Sequence, residues 1–99
     1  MTKDKADSKK SSSGKQQAEV VIYVRDYCPY CTNAIRLLKS KSVDYKLIDI
    51  TDSPEKRSEM IEKSNRTTVP QIFIDGKHVG GFDDLNALDM AGKLDEMLK

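Results

Sequence analysis

The chain has 99 residues, 37% of them apolar, with 17 Lys or Arg and 16 Asp or Glu. This length and apolar content suit one small globular domain and leave no room for two. The net charge of +1 excludes strong electrostatic binding to nucleic acid or to an anionic membrane, and no apolar run approaches the roughly 20 residues that span a bilayer.

Residues 1–18 differ in composition from the rest of the chain. Nearly all of them are Lys, Ser, Asp, Gln, Thr or Gly, and such a segment cannot bury enough apolar surface to offset its ordering entropy. It has neither the apolar stretch of a secretory signal nor the Arg-rich composition of a mitochondrial transit peptide. We therefore expect a disordered N-terminal tail over residues 1–18, a folded domain over residues 19–99, and a cytoplasmic location.

The first predicted elements are a strand, a helix and a second strand. Residues 20–24 are all β-branched or aromatic, which predicts a buried strand. Cys28 and Pro29 predict a helix start, because proline at the first helical position has no N–H that needs a partner. Apolar residues at helical spacing extend this helix to about residue 41, and the second strand follows over residues 45–50.

The next predicted elements are a second helix and a hairpin. Ser53 followed by Pro54 repeats the signal for a helix start and predicts a second, more polar helix. Residues 71–74 predict a third strand. Asp75-Gly76 is the preferred two-residue turn, because both positions tolerate the positive φ that a type I′ turn requires. Residues 77–79 then pair back as the fourth strand.

A third helix follows the hairpin. We expect Gly80 and Gly81 to end the fourth strand, Asp83 to cap the helix and Gly92 to stop it, with a short apolar turn afterwards. The order β-α-β-α-β-β-α is satisfied by an α/β fold, in which three or four helices cover the two faces of a four-stranded mixed sheet.

Cys28 and Cys31 lie three residues apart at the predicted start of the first helix, directly after a buried strand. The unpaired N–H groups and partial positive charge of a helix N-terminus stabilise a thiolate, and Arg25 adds a full positive charge. Cys31 lies one turn deeper, where ionisation is less favoured. This asymmetry suits thiol–disulfide exchange, in which an exposed thiolate attacks and a protonated neighbour resolves the mixed disulfide.

Two other interpretations of this cysteine pair are weaker. A closed zinc site needs four ligands, and besides the two cysteines the chain offers only His78, which we expect to be solvated in the hairpin. A structural role for both cysteines is disfavoured, because such residues rarely fall at a helix start with a proline between them.

Three separate motifs of the chain are Tyr27-Cys28-Pro29-Tyr30-Cys31, Thr68-Val69-Pro70 and Gly80-Gly81-Phe82-Asp83-Asp84. Together they resemble the motifs of dithiol (class I) glutaredoxins, and the resemblance covers about residues 18–99. Thioredoxins, by contrast, have Gly-Pro between the cysteines and a Trp before them, whereas this chain has no Trp.

The resemblance implies a thioredoxin-like fold with the peptide bond before Pro70 in the cis form. It also implies a glutathione site. The backbone of Val69 would pair with the cysteine part of glutathione, and backbone N–H groups at Asp83 and Asp84 would hold the γ-glutamyl carboxylate. The carboxylate of Asp84 would pair with the glutathione ammonium.

Other residues complete the site that the resemblance implies. Arg25 would face the glycine carboxylate of glutathione, although the family usually has Lys at this position, and Arg66 is a second candidate for that contact. Tyr30 would flank the sulfur, and Gly81 would let glutathione lie close to the backbone. The full set of expected glutathione contacts is Arg25, Tyr30, Thr68, Val69, Pro70, Gly81, Asp83 and Asp84, with Cys28 and Cys31 as the catalytic residues and no metal ligand.

The implied function is that of a glutathione-dependent thiol–disulfide oxidoreductase, a monomeric enzyme with glutathione as its co-substrate and no metal. Its partners would be glutathionylated or disulfide-containing proteins. One alternative is an iron–sulfur carrier, as some glutaredoxins are, but cluster binders usually have Gly or Ser in place of Pro29. Another is a thioredoxin-like electron donor served by a reductase protein, which the missing Trp and the motif at residues 80–84 disfavour.

Overall fold

The computed structural model describes residues 18–98. Within them, strands and helices follow one another in the predicted order, and the expected apolar turn after the third long helix is a short fourth helix. In chain order the elements are β1 (Val20–Val24), α1 (Pro29–Ser40), β2 (Lys46–Asp49), α2 (Pro54–Ser64), β3 (Gln71–Ile74), β4 (Lys77–Gly80), α3 (Phe82–Met90) and α4 (Leu94–Met97).

The four strands form one mixed sheet in the order β2-β1-β3-β4, which confirms the predicted sheet. The central strand β1 pairs in parallel with β2 and antiparallel with β3, so that Ile22 lies opposite both Leu47 and Ile72. The hairpin strands β3 and β4 are antiparallel. Because β1 and β2 are parallel, helix α1 between them crosses over one face of the sheet.

The two faces of the sheet carry separate cores. Alternate side chains of a strand point to opposite faces, and β1 accordingly places Val20, Ile22 and Val24 in one buried cluster and Tyr23 in the other. The larger cluster includes buried residues of α1, α3 and α4, whereas the smaller one is covered by α2 through Met60. Helices therefore cover both faces, as expected.

The described residues begin with Ala18, the last residue of the predicted tail. Its small apolar side chain is only 4% exposed and packs in the larger core just before β1. The boundary after residue 18 stays a prediction. The rest of the predicted tail lies outside the described residues.

The turns between the later elements follow the sequence predictions. Asp75 and Gly76 have φ values of 54° and 79°, as a type I′ turn requires. The peptide bond between Val69 and Pro70 is cis, as the resemblance implied. Gly92, with a φ of 75°, follows the last residues of α3 and acts as the predicted stop.

The start of α3 differs from its prediction. Gly81, and not Asp83, is the N-cap residue. Strand β4 continues to Gly80, so only Gly81 separates it from the helix. The carboxylate of Asp84, the third helical residue, reaches back and accepts the Gly81 N–H at 3.0 Å. A side chain in the first turn of α3 therefore accepts the N–H of the N-cap residue, and the prediction that Asp83 caps this helix is wrong.

All of these helices are short. The longest within residues 18–98 is α1, with 12 residues. None of the helices in this part of the chain is long and apolar enough to cross a membrane.

Candidate active site

Cys28 occupies the N-cap position of α1, a few residues beyond the end of β1. Its sulfur accepts the N–H of Cys31 at 3.1 Å, and its thiol lies 3.8 Å from the carbonyl oxygen of Val69, to which it donates. The residue is partly exposed. The sulfur is therefore held at the helix N-terminus by a backbone N–H, in a position that an incoming substrate can reach.

Cys31 lies behind Cys28 on the buried side of the helix. It is 3% exposed and packs in the same core as Ala34 and Leu38. Burial, followed by a hydrogen bond with Cys28, raises the pKa of the Cys31 thiol to about 12. Both cysteines are free thiols. The pair therefore has the predicted difference in exposure, with a second thiol that holds its proton at neutral pH.

The surface next to Cys28 is formed by exposed side chains. Tyr27 is fully exposed and has a φ of 56°, and Tyr30 is 60% exposed. Arg25 is exposed as well, and its backbone N–H and its charge act on Cys31, where both lower the pKa against the larger effect of burial. Exposed side chains thus surround the partly exposed Cys28.

The three sequence motifs meet at this site. The first two are joined where the thiol of Cys28 reaches the carbonyl of Val69. The second and third are joined where Gly81 lies against Pro70, because a side-chain Cβ at Gly81 would stand 3.4 Å from the Pro70 carbonyl oxygen. Residues from three distant parts of the chain thereby form one continuous surface.

The N-terminus of α3 forms the far end of this surface. The carboxylate oxygen of Asp84 that accepts the Gly81 N–H also accepts a hydrogen bond from Arg66 at 3.0 Å. Arg66 and then the Gly81 N–H hold the pKa of Asp84 below its usual range. The first hydrogen bond of the helix runs from Leu85 to Gly81, so the N–H groups of residues 82–84 precede it and face outwards from the helix end.

Among the glycines of this motif, Gly80 is the one whose position requires a glycine. Its φ is 126°, and a Cβ there would lie 2.1 Å from a carboxylate oxygen of Asp84. Gly81 has a φ of −89°, which any residue adopts. The expectation for Gly81 therefore concerns space for a ligand, whereas Gly80 is needed for the fold of the site itself.

Sequence reasoning missed the part played by Gln71 and His78. Gln71 is fully buried, and its side chain bonds both Thr68 and His78. His78 is exposed, as expected, and its ring nitrogen also lies 2.7 Å from the Gln71 oxygen. A polar residue at the start of an otherwise apolar predicted strand is the signal that could have identified Gln71.

A metal centre is not formed by the residues that the structure describes. Within residues 18–98, no three His, Cys, Asp or Glu side chains lie close enough together to hold a metal ion. A closed zinc site needs four ligands. His78, the further ligand that the sequence offered, instead bonds Gln71.

Comparison with known proteins agrees with this geometry. The family model described as "Glutaredoxin" matches residues 20–79, which is more than half of the chain. Glutaredoxin 3 of Escherichia coli strain K12 is 55% identical over 82 residues, covering 83% of this chain and 99% of that protein.

Solved structures are similar as well. The solution structure of glutaredoxin from Brucella melitensis is 53% identical, with a TM-score of 0.73, covering 82% of this chain and 88% of the other. The crystal structure of the buckwheat glutaredoxin–glutathione complex is 29% identical, also with a TM-score of 0.73, covering 82% and 76%. These neighbours confirm the thioredoxin-like fold. The chain belongs to the glutaredoxin family, whose members are thiol–disulfide oxidoreductases.

Proposed function

We propose that this protein reduces glutathione mixed disulfides and protein disulfides, with Cys28 as the nucleophile, Cys31 as the resolving thiol and glutathione as the reductant. The observation that carries the proposal is the asymmetry of the two thiols. Cys28 is partly exposed at a helix N-terminus, whereas Cys31 is 3% exposed directly behind it, with its pKa raised to about 12. One thiol is suited to attack the substrate, and the other is suited to stay protonated until it resolves the mixed disulfide.

The reduction of a glutathione mixed disulfide needs only Cys28. Its thiolate attacks the glutathione sulfur, so a Cys28–glutathione disulfide forms and the substrate leaves as a thiolate that takes a proton from water. The thiolate of a second glutathione then attacks the bound glutathione sulfur. This step forms glutathione disulfide and restores the Cys28 thiolate.

The reduction of a protein disulfide needs both cysteines. Cys28 attacks one sulfur of the substrate disulfide, which breaks that S–S bond, forms a mixed disulfide with the protein and releases the other sulfur as a first thiolate. Cys31 then gives its proton to this thiolate and attacks the Cys28 sulfur, which releases the second substrate thiolate and leaves a Cys28–Cys31 disulfide. Two glutathione molecules reduce that disulfide and leave as glutathione disulfide.

The surface formed by the three motifs supports the proposed glutathione site. Val69, next to the Cys28 sulfur, would pair with the cysteine part of glutathione through its backbone. The N–H groups at the start of α3 suit the γ-glutamyl carboxylate. Both hydrogen bonds to Asp84 go to its Oδ2, which leaves Oδ1 to accept from the glutathione ammonium. The structural similarity to a glutaredoxin crystallised with glutathione is in accord with this site.

The remaining contacts of the proposed site lie around this core. Arg25 and Arg66 carry the positive charge that the glycine carboxylate needs, and both are exposed. Tyr30, 60% exposed beside Cys28, would flank the glutathione sulfur. Thr68, Pro70, Gly81 and Asp83 complete the proposed contacts through the loop before β3 and the start of α3.

We also propose that the protein works as a monomer in the cytoplasm. Both thiols of one chain suffice for the two reactions above. The resting state needs free thiols, which a reducing glutathione pool maintains in the cytosol.

A coupled assay tests the proposed function. Reduction of a glutathionylated peptide would be followed through NADPH consumption with glutathione and glutathione reductase, and in parallel with thioredoxin reductase in their place. We expect turnover with glutathione and none with thioredoxin reductase alone. Equal turnover in the absence of glutathione, or turnover with thioredoxin reductase only, would contradict the proposal.

A further inference from the structure

Gln71 is a polar residue in a place where the fold gives it no access to water. It is the first residue of β3, directly after Pro70, and it is 0% exposed. A buried amide destabilises the fold unless its donors and acceptor have partners. The position of those partners shows what the residue does.

The two N–H bonds of the Gln71 side chain both go to Thr68. Its Nε2 donates to the Thr68 carbonyl oxygen at 3.1 Å and to the Thr68 hydroxyl oxygen at 3.2 Å. A carbonyl oxygen can only accept, so the amide cannot be reversed without placing two acceptors against each other. The Oε1 of Gln71 must therefore face the opposite way.

On that side Oε1 meets His78 of strand β4. The distance to the His78 Nε2 is 2.7 Å, and since Oε1 can only accept, Nε2 carries the proton. The imidazole ring is held against Phe73, with ring centroids 5.1 Å apart. Nε2 has a proton both in this neutral tautomer and in the imidazolium form, so the bond to Gln71 holds in either state.

Gln71 and the His78 that holds it form a clamp, and this clamp acts on the peptide unit that precedes Val69. The Thr68 carbonyl and the Val69 N–H belong to one planar peptide, and this bond is trans, so the two groups point in opposite directions. Fixing the carbonyl towards Gln71 fixes the Val69 N–H away from it. On the same residue, the Val69 carbonyl lies 3.8 Å from the Cys28 sulfur.

We propose that Gln71 and His78 are positioning residues, which orient the Thr68–Val69 peptide so that the Val69 N–H is presented to the substrate backbone beside Cys28. The functional part of this statement rests on the proposed glutathione site. Neither residue touches the reacting sulfur atoms. Their effect passes through Thr68 alone.

Kinetics of Gln71→Glu test the proposal. The variant keeps the shape of the side chain but loses both donors to Thr68. The KM for a glutathionylated peptide should rise about threefold to tenfold with kcat within about twofold, because the affected contact is made equally in ground and transition states. The matched control is Ile72→Val, the neighbouring buried residue of β3, which should lower the Tm without changing KM. An unchanged KM in Gln71→Glu, or an equal rise in Ile72→Val, overturns the proposal.

His78→Phe covers the case in which Gln71→Glu does not fold. Position 78 is exposed, and phenylalanine keeps an aromatic ring beside Phe73 while removing the donor to Gln71. We expect a KM rise of about twofold to threefold at unchanged kcat, the smaller effect of one lost neutral hydrogen bond. A change in kcat alone, or no change, counts against the proposal.

Nuclear magnetic resonance separates this proposal from the proposed function. Imidazole ¹⁵N shifts of the wild type should show the neutral His78 with its proton on Nε2. The amide resonance of Val69 should move in His78→Phe and stay in place in Lys77→Gln, a neighbouring exposed position. A proton on Nδ1, or an unmoved Val69 amide, overturns the clamp even if the enzyme uses glutathione. If the wild type shows no glutathione-dependent turnover, these shifts still decide whether the clamp exists.

Discussion

Helices α1 and α2 begin in almost the same way but serve different purposes. Each has proline at its start, preceded by an N-cap residue in an extended conformation, with φ and ψ of −120° and 100° at Cys28 and −130° and 91° at Ser53. Each N-cap side chain accepts the N–H of the residue three positions later, at 3.1 Å for the Cys28 sulfur and 3.3 Å for the Ser53 hydroxyl.

The difference between these two helix starts lies in the capping atom and its surroundings. Ser53 caps α2 with a hydroxyl that does not ionise at neutral pH. Cys28 caps α1 with a sulfur, and that sulfur lies next to the Val69 carbonyl and in front of a second, buried thiol. A standard helix start thus becomes a reactive site through one atom and its tertiary neighbours.

The largest expected effect comes from giving α1 the N-cap residue type of α2. Cys28→Ser places at α1 the same cap and proline that begin α2. Because serine caps helices well, the Tm should change by only a few degrees, whereas all thiol-transfer activity should be lost. The coupled assay and a thermal melt by circular dichroism measure the two effects. Residual deglutathionylation above the background would contradict the role of Cys28.

The next effect separates the two thiols of α1. Cys31→Ser removes the resolving thiol and leaves the nucleophile. We expect the reduction of glutathione mixed disulfides to persist, because Cys28 and a second glutathione complete it, while the dithiol reduction of protein disulfides is lost. Parallel assays on a glutathionylated peptide and on a disulfide-containing protein decide this. Loss of the first activity would show that the two roles are wrongly assigned.

The raised pKa of Cys31 allows a third test of the difference between the two helix starts. Burial raises the pKa of Cys31 from its ordinary value of 9.0 to about 12, so its thiolate fraction is very small at neutral pH and grows as the pH rises towards about 12. Alkylation of the Cys28→Ser protein with iodoacetamide should therefore be slow at pH 7 and accelerate continuously up to pH 11. Mass spectrometry at a series of pH values measures the rate. A plateau below pH 10 would contradict the raised pKa.

A third helix start, that of α3, allows a smaller prediction. Asp84→Asn keeps an oxygen for the Gly81 N–H but removes the charge that faces Arg66 and, as proposed, the glutathione ammonium. The apparent KM for glutathione should rise by up to about tenfold, the low end for a charge-assisted hydrogen bond at an exposed site. The control is Asp83→Asn, which should leave KM unchanged, since the contact proposed for Asp83 is made by its backbone N–H, which the substitution keeps. A rise in Asp83→Asn alone would reverse the assignment.

The smallest effect on activity is expected at the start of α2. Ser53→Ala removes the hydroxyl that accepts the Lys56 N–H and should cost about 1 kcal/mol of stability, which lowers the Tm of a domain of this size by about 4–8 °C. Turnover at temperatures below the melting range should not change, because this helix start has no thiol and takes part in neither proposed reaction. A fall in kcat at 25 °C would show that the two helix starts are coupled.

Local signals in the sequence were sufficient for most of the fold. Cap-then-proline pairs placed the starts of α1 and α2, and the positive φ that Asp75-Gly76 tolerates placed the hairpin. These features depend on neighbours within a few residues, so the physical rules that govern them can be read along the chain. The reactive pair Cys28 and Cys31 belongs to the same class, since its spacing and position at a helix start are local properties.

The wrong prediction for the cap of α3 and the missed contact between Gln71 and His78 do not depend on such local signals. Asp83 and Asp84 are both acceptable at a helix start, and only the end of β4 at Gly80 decides which one reaches the free N–H. Gln71 and His78 meet across the β3–β4 hairpin, whose register shifts between Ile72 and Phe73. No pattern of nearby residues encodes such a shift.

The sequence by itself determined the order of the elements, the turn of the hairpin and the reactive cysteine pair. The tertiary structure decided that Cys31 is buried enough to keep its proton, that Val69 and Gly81 join Cys28 in one surface, and that Gln71 orients the peptide before Val69. The reason is physical. Capping and turn geometry depend on adjacent residues, whereas burial and cross-strand hydrogen bonds depend on parts of the chain that only folding brings together.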